Sequence, residues 1–137
     1  MEKIITFEEG IPGFETYKEY VILEESTRNF FYLESVQNRS LFFVIIDPFK
    51  YMPSYSPDIS EKYFEFLGGG ETSDFALYAM VNLGKSLHTA TANLKAPILI
   101  NTKNFKGVQT IIENTNYDIK TSLVQIMKGC DSNASLD

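Results

Sequence analysis

His88 is the single histidine of this 137-residue chain and Cys130 its single cysteine. One imidazole excludes metal sites that need two or more, and one thiol excludes both an internal disulfide and a cysteine-rich zinc site. His88 stands in the alternating run Leu87-His88-Thr89-Ala90-Thr91-Ala92, where a surface or boundary strand position accounts for it. Cys130 falls in a polar tail that gives it no anchored partner, so it reads as a spectator thiol. The carboxylates show no Asp-x-Asp-x-Asp-Gly spacing for calcium, and the pairs Glu8-Glu9 and Glu24-Glu25 sit at turns where solvation explains them. The Gly68-Gly69-Gly70 run lacks the lysine of a phosphate loop and follows a helical stretch instead of opening one. No catalytic, metal-binding or cofactor-binding constellation emerges. The expectation is a protein that is not an enzyme and carries no cofactor.

Charge narrows the partners. Eighteen acidic and twelve basic side chains give a net charge of −6, which argues against direct binding of nucleic acid or of an anionic membrane. Residues 1–25 hold seven acids and two lysines, so five of the six net charges belong to one end of the chain. Such a face either meets a basic partner or serves solubility. The start MEKIITFEEG has no basic region followed by an apolar run, and the longest apolar run, 41–46, is too short to span a bilayer. A reducing, cytoplasmic setting is expected.

The elements that must position these groups read as short strands. Apolar or alternating runs at 4–7, 20–24, 30–34, 41–46, 75–83, 87–92, 98–101, 108–113 and 117–123 are separated by breakers. Gly10-Ile11-Pro12-Gly13 places proline and glycine at the centre of a type II turn. The polar segment 25–29 joins two strands, and Gly84-Lys85-Ser86 reads as a hairpin connection. The run 41–46 is apolar throughout, as for a strand buried on both faces, and Asp47-Pro48 stops it. One helix is expected, with Pro57 at its first position, Asp58 and Glu61 in its first turn, and the three glycines ending it. The last run fits either a strand from Tyr117 to Leu123 or a helix using Leu123, Ile126 and Met127, and we favour a strand passing into a frayed end. The pattern predicts an all-β fold: a small closed or partly open β-barrel of about nine short strands with one short helix. It fills a single domain over 1–127, with a polar, flexible tail over 128–137.

A binding module is the remaining class. Tyr51, Tyr55, Tyr63 and Phe64, near three prolines, form either an amphipathic protein-binding surface or the packing of a crossover onto the barrel. A small-ligand-binding barrel with an aromatic-lined interior is the alternative.

Four words along the chain carry a family resemblance. Phe7-Glu8-Glu9-Gly10-Ile11-Pro12-Gly13-Phe14-Glu15 resembles the opening of the FliW flagellar assembly factors. Phe43-Val44-Ile45-Ile46-Asp47-Pro48 resembles that family's strand ending in Asp-Pro, and Asn93-Leu94-Lys95-Ala96-Pro97-Ile98 with Asn101 resembles a later segment. Gly107-Val108-Gln109 with Tyr117 resembles its closing strands. The resemblance covers about 4–124. It implies a cytoplasmic, non-enzymatic β-barrel that binds new flagellin and the RNA-binding translational regulator CsrA. Flagellin and CsrA exchange on such a protein, so flagellin secretion frees it to relieve CsrA's repression of flagellin synthesis. The free protein is expected to be monomeric. The expected contacts are Glu8, Glu9 and Glu15 beside the Pro-Gly turn, and Asp47, Tyr51 and Tyr55 in the loop 47–55. The shared residues Gly10, Ile11, Pro12, Gly13, Phe14, Pro48, Asn93, Leu94, Ala96, Pro97, Asn101 and Gln109 are expected to be structural, as corner and turn positions of a barrel.

Overall fold

The structure, a computed structural model, describes residues 3–25 and 29–130. Residues 26–28 of the polar connection, the Cys130 side chain and the tail from 131 onward lie outside the described residues.

Among the described residues, nine strands form one sheet that closes on itself. In chain order they are β1 (Ile5–Thr6), β2 (Glu19–Glu24), β3 (Phe31–Ser35), β4 (Phe42–Ile46), β5 (Phe75–Asn82), β6 (Thr91–Ala92), β7 (Ile98–Asn101), β8 (Lys106–Gln109) and β9 (Thr121–Ser122). The order is β4-β3-β2-β1-β8-β7-β5, and β5 returns to β4, so seven strands complete a barrel. β6 and β9 extend the wall beyond β5. All pairs are antiparallel except β1 with β8, where Thr6 lies opposite Lys106 and its N–H donates to the Phe105 carbonyl at 2.9 Å. Phe105 sits at φ +59, a left-handed position unusual for a bulky residue.

Alternation sorts the side chains. Phe7, Tyr20, Leu33, Ile45, Ile98 and Ile100 fill the interior, joined by Phe31, Phe43, Tyr78 and Met80. The interior is therefore packed by the chain's own aromatic and aliphatic groups, with Phe7 edge-on to Tyr20 at 5.4 Å. A second core lies outside the wall, where Ile46, Ala79 and Ala92 meet Tyr51, Tyr55, Leu123 and Ile126. A third, around Leu67, Leu99 and Val108, lies under the helical crossover.

Among the described residues three α-helices, not one, cover the wall: α1 (Pro48–Tyr51), α2 (Glu61–Phe66) and α3 (Leu123–Cys130). Asp47 both ends β4 and caps α1, its carboxylate accepting from the Phe49 N–H at 3.0 Å. α2 starts later than expected, with Ser60 as its cap and not Pro57 at its first turn. Residue 58 is held by the 113–114 segment instead: its N–H donates to the Asn114 side chain and its carbonyl accepts from Glu113. The final run is corrected too. Only Thr121–Ser122 is strand, and Leu123 and Ile126, fully buried against α1, fix the rest as helix α3. The segment expected as a strand at 87–92 opens with a 3-10 turn at Leu87–Thr89, which carries His88 on the surface. β4 is buried on both faces only from Val44 onward, because Phe42, 50 % exposed, lies beyond its last pair with β5.

Candidate functional site

The acidic lobe is built on two tight turns. Gly10 donates its N–H to the Phe7 carbonyl at 2.8 Å, at φ +73. The Phe14 N–H then returns to the Ile11 carbonyl at 2.7 Å, with Gly13 at φ +89, which is the type II geometry expected of Pro-Gly. Ile11 is buried as the anchor, while Pro12 and Gly13 stand outward. The exposed Phe14 ring meets Phe43 edge-on at 5.2 Å. Glu15 accepts the Gly13 N–H at 3.1 Å, and hydrogen bonds from the Gly13 and Glu15 main chain, with Lys18 nearby, hold its carboxyl below the usual range. Glu8 pairs with Lys106 at 3.0 Å, and both side chains are a little under half exposed, so solvent screens the pair. Glu9 and Glu15 are exposed and form no ion pair within 4 Å among the described residues.

The 47–55 loop corrects the expectation of exposed tyrosines. Tyr51 and Tyr55 are 5 % and 3 % exposed and belong to the core outside the wall. The Tyr51 hydroxyl donates to Asn29, and the Tyr55 hydroxyl donates to the Leu94 carbonyl at 2.7 Å. Burial, reinforced by Tyr117, pushes the Tyr55 hydroxyl well above the ordinary tyrosine range. The aromatic ring exposed here is Phe49. Asp47 is half-buried, and Pro48 is buried at the first position of α1.

The remaining shared residues have scaffold contacts. The Asn93 side chain accepts the Lys95 and Ala96 N–H groups, turning the chain between β6 and β7. Leu94 is core, and the Ala96 carbonyl accepts from the Gln109 side chain at 3.0 Å. The Pro97 carbonyl accepts both the Thr110 N–H and hydroxyl. Asn101, 2 % exposed, donates to the Leu67 carbonyl at 2.9 Å and accepts the Lys103 N–H at 2.8 Å, tying the end of α2 to the barrel.

Two grooves escaped sequence reasoning because both arise where paired strands part. The upper one, about 520 Å³, opens beyond Val44 and Val81, between Phe42 and Phe43 on one side and Leu83 and Ile119 on the other. Phe42, Leu83 and Ile119 are 50 %, 47 % and 62 % exposed there. The lower one, about 550 Å³, opens below the end of β4, between Asp47, Phe49 and Phe64 and the first half of β5. Both open at the wall where strands part, whereas a ligand-in-barrel protein would need its cavity in the interior, which Phe7, Tyr20, Leu33 and Ile45 fill here. Among the described residues no group of three or more His, Cys, Asp or Glu side chains is placed to hold a metal ion. No helix of the described residues is long and apolar enough to cross a membrane.

Fold and surface define a class: a small, self-filled β-barrel that displays acidic and apolar groups on the outside of its wall. A solved crystal structure of the flagellar assembly factor FliW shares this fold with a TM-score of 0.81 and 41 % identity, over 88 % of this chain and 84 % of that one. The FliW protein family model matches residues 1–123. A flagellar assembly factor FliW of Caldanaerobacter subterraneus subsp. tengcongensis is 38 % identical over 97 % of this chain and 90 % of its own length. Another, of Geobacillus thermodenitrificans, is 41 % identical over 88 % of this chain and 83 % of its own length. The chain belongs to the FliW family of flagellar assembly factors.

Proposed function

We propose that this chain is a cytoplasmic, non-enzymatic flagellar assembly factor that binds flagellin and the translational regulator CsrA in alternation. Flagellin bound to it leaves CsrA free to repress flagellin translation. Export of flagellin frees the protein to sequester CsrA. The observation that carries this reading is the outward display of Glu8, Glu9 and Glu15 on turns fixed by Gly10 and Gly13. An RNA-binding regulator must present a cationic surface, and a carboxylate lobe docks beside it while disfavouring phosphate. The exposed Phe42, Leu83 and Ile119 supply what the amphipathic terminal helices of flagellin need.

The test is calorimetric titration of CsrA into the parent chain and into a Glu8→Lys, Glu9→Lys, Glu15→Lys variant. The expected result is binding at least ~10-fold weaker, equivalent to about 1.4 kcal/mol, with the melting temperature lowered by no more than ~3 °C. Equal affinity removes the acidic lobe as the contact. A pull-down from a motile cell lysate that recovers neither flagellin nor CsrA overturns the partner assignment.

A further inference from the structure

The lower groove contains an open strand edge. β5 spans eight residues, but β4 accompanies only its second half, and Ile46 opposite Ala79 is their last pair. β7 flanks residues 75–78 on the other side. Within a strand the N–H and C=O of one residue point the same way, and those of its neighbours point oppositely. Met80 gives its carbonyl to the Asn93 N–H at 2.9 Å, on the side of β6 and β7. Stepping back by twos, Tyr78 and Ala76 also face β7. Leu77 and Phe75 therefore turn their peptide groups to the side that β4 has vacated. The Phe75 N–H closes the preceding 3-10 turn on Thr72. The Phe75 carbonyl and both peptide groups of Leu77 have no protein partner among the described residues.

Nothing on the strand guards this edge. Natural edges are blunted by charges, prolines or bulges, yet β5 reads FALYAMVN, with no charged residue and no proline. The groove beside it is walled by Phe31, Phe49 and Phe64. Asp47 is the one charged side chain of its lining, and it lies close enough to Tyr78 to help raise that hydroxyl's pKa behind the effect of burial.

We infer that the groove is a strand-addition site, where an extended, apolar segment of a partner protein carrying one lysine or arginine pairs along residues 75–77 and sets its cation on Asp47. The unpartnered peptide groups select an extended backbone over a helix, because a helix has no main-chain groups left to offer along its length. The lone carboxylate in an apolar lining, on a chain of net charge −6, selects the cation. The inference goes beyond the acidic lobe and does not depend on whether flagellin or CsrA binds.

Amide hydrogen exchange on the full chain tests it. In the free protein the Leu77 amide is expected to exchange at least ~100-fold faster than those of Ala76 and Tyr78. The probe is the capped pentapeptide Val-Lys-Val-Phe-Val, beside the same peptide with alternate backbone nitrogens methylated and a 15-residue amphipathic helical peptide of similar composition. The pentapeptide is expected to slow Leu77 exchange about ten-fold or more, the methylated form not to, and Asp47→Asn to weaken binding roughly ten-fold. Asparagine keeps the cap of α1, so loss of binding in that variant reports the charge and not unfolding. Slow exchange at Leu77 in the free chain overturns the inference. So does equal binding of the methylated peptide, protection of the groove by the helical peptide alone, or no protection at millimolar pentapeptide.

Discussion

Gly10 and Gly13 both adopt positive φ, yet they should respond very differently to alanine. A left-handed L-residue costs about 1–2 kcal/mol, and stiffening the unfolded chain returns about 0.4–1. At Gly13 a new Cβ meets nothing within 4 Å, so Gly13→Ala carries only that difference, roughly 0.5–1.5 kcal/mol. At Gly10 the Cβ would lie 2.6 Å from the Glu15 Cα, a main-chain atom that yields only if the whole 10–15 turn moves. Overpacking of that kind adds about 1–3 kcal/mol, and the shift strains the 2.8 Å bond from Gly10 to Phe7. Gly10→Ala should therefore cost about 2–4 kcal/mol in all. At about 4 °C per kcal/mol for a chain of this length, that is a melting temperature lower by roughly 8–16 °C, against about 2–6 °C for Gly13→Ala. The chain has no tryptophan, so urea unfolding followed by tyrosine fluorescence or far-ultraviolet dichroism gives the midpoint. Gly13→Asn is the control, since asparagine tolerates the left-handed region, and it should cost less than Gly13→Ala. Equal costs for the two alanine variants, within about 0.5 kcal/mol, would refute the steric argument.

Four further outcomes follow from buried polar groups. Tyr20→Phe should be neutral or stabilising by about 1 kcal/mol, because the Tyr20 hydroxyl is buried without a hydrogen-bond partner among the described residues. Tyr55→Phe should cost about 1–2 kcal/mol by stranding the Leu94 carbonyl, and urea midpoints order the two variants. Burial raises the pKa of both hydroxyls, so the folded state keeps protons that the unfolded chain releases near pH 10. Stability from these groups is complete below that pH and falls as pH rises through it, by up to about 1.4 kcal/mol per pH unit per hydroxyl, and Tyr55→Phe should flatten part of the decline between pH 9 and 11.5. Asn101→Ala should cost about 2 kcal/mol and speed amide exchange in α2, since it cuts the tie to Leu67, while the Asn104 side chain still bonds that carbonyl.

Local chemistry made much of the barrel legible. The Pro-Gly turn, the strand stop at Asp47-Pro48 and most of the apolar runs follow from the residues' conformational limits and appear in the structure, whereas the alternating runs at 87–92 and 117–123 are strand only over Thr91–Ala92 and Thr121–Ser122. Asn93, Asn101 and Gln109 each hydrogen-bond main-chain groups through their side chains. What stayed hidden depends on neighbours far along the chain. Asn114 captures residue 58 and delays α2 to Ser60. The choice of helix over strand for Leu123 and Ile126 is made by the core around Tyr51 and Tyr55. Those same tyrosines look like an interface in the sequence because burial depends on what α3 covers. The grooves depend on where β4 and β5 separate, a matter of register that no single segment encodes.

Barrel closure has a consequence for the order of events during synthesis. β2, β3 and β4 pair in sequence as they emerge, but β1 waits for β8, whose Lys106 lies one hundred positions beyond Thr6. At ordinary translation rates that wait is about 5–20 s. Until it ends, the strand leading into the acidic turns lacks one of its two neighbours, and Glu8 lacks Lys106. The acidic lobe, made long before β8, is thus completed only afterwards, so a ribosome-bound chain shows partners an incomplete lobe until β8 has emerged.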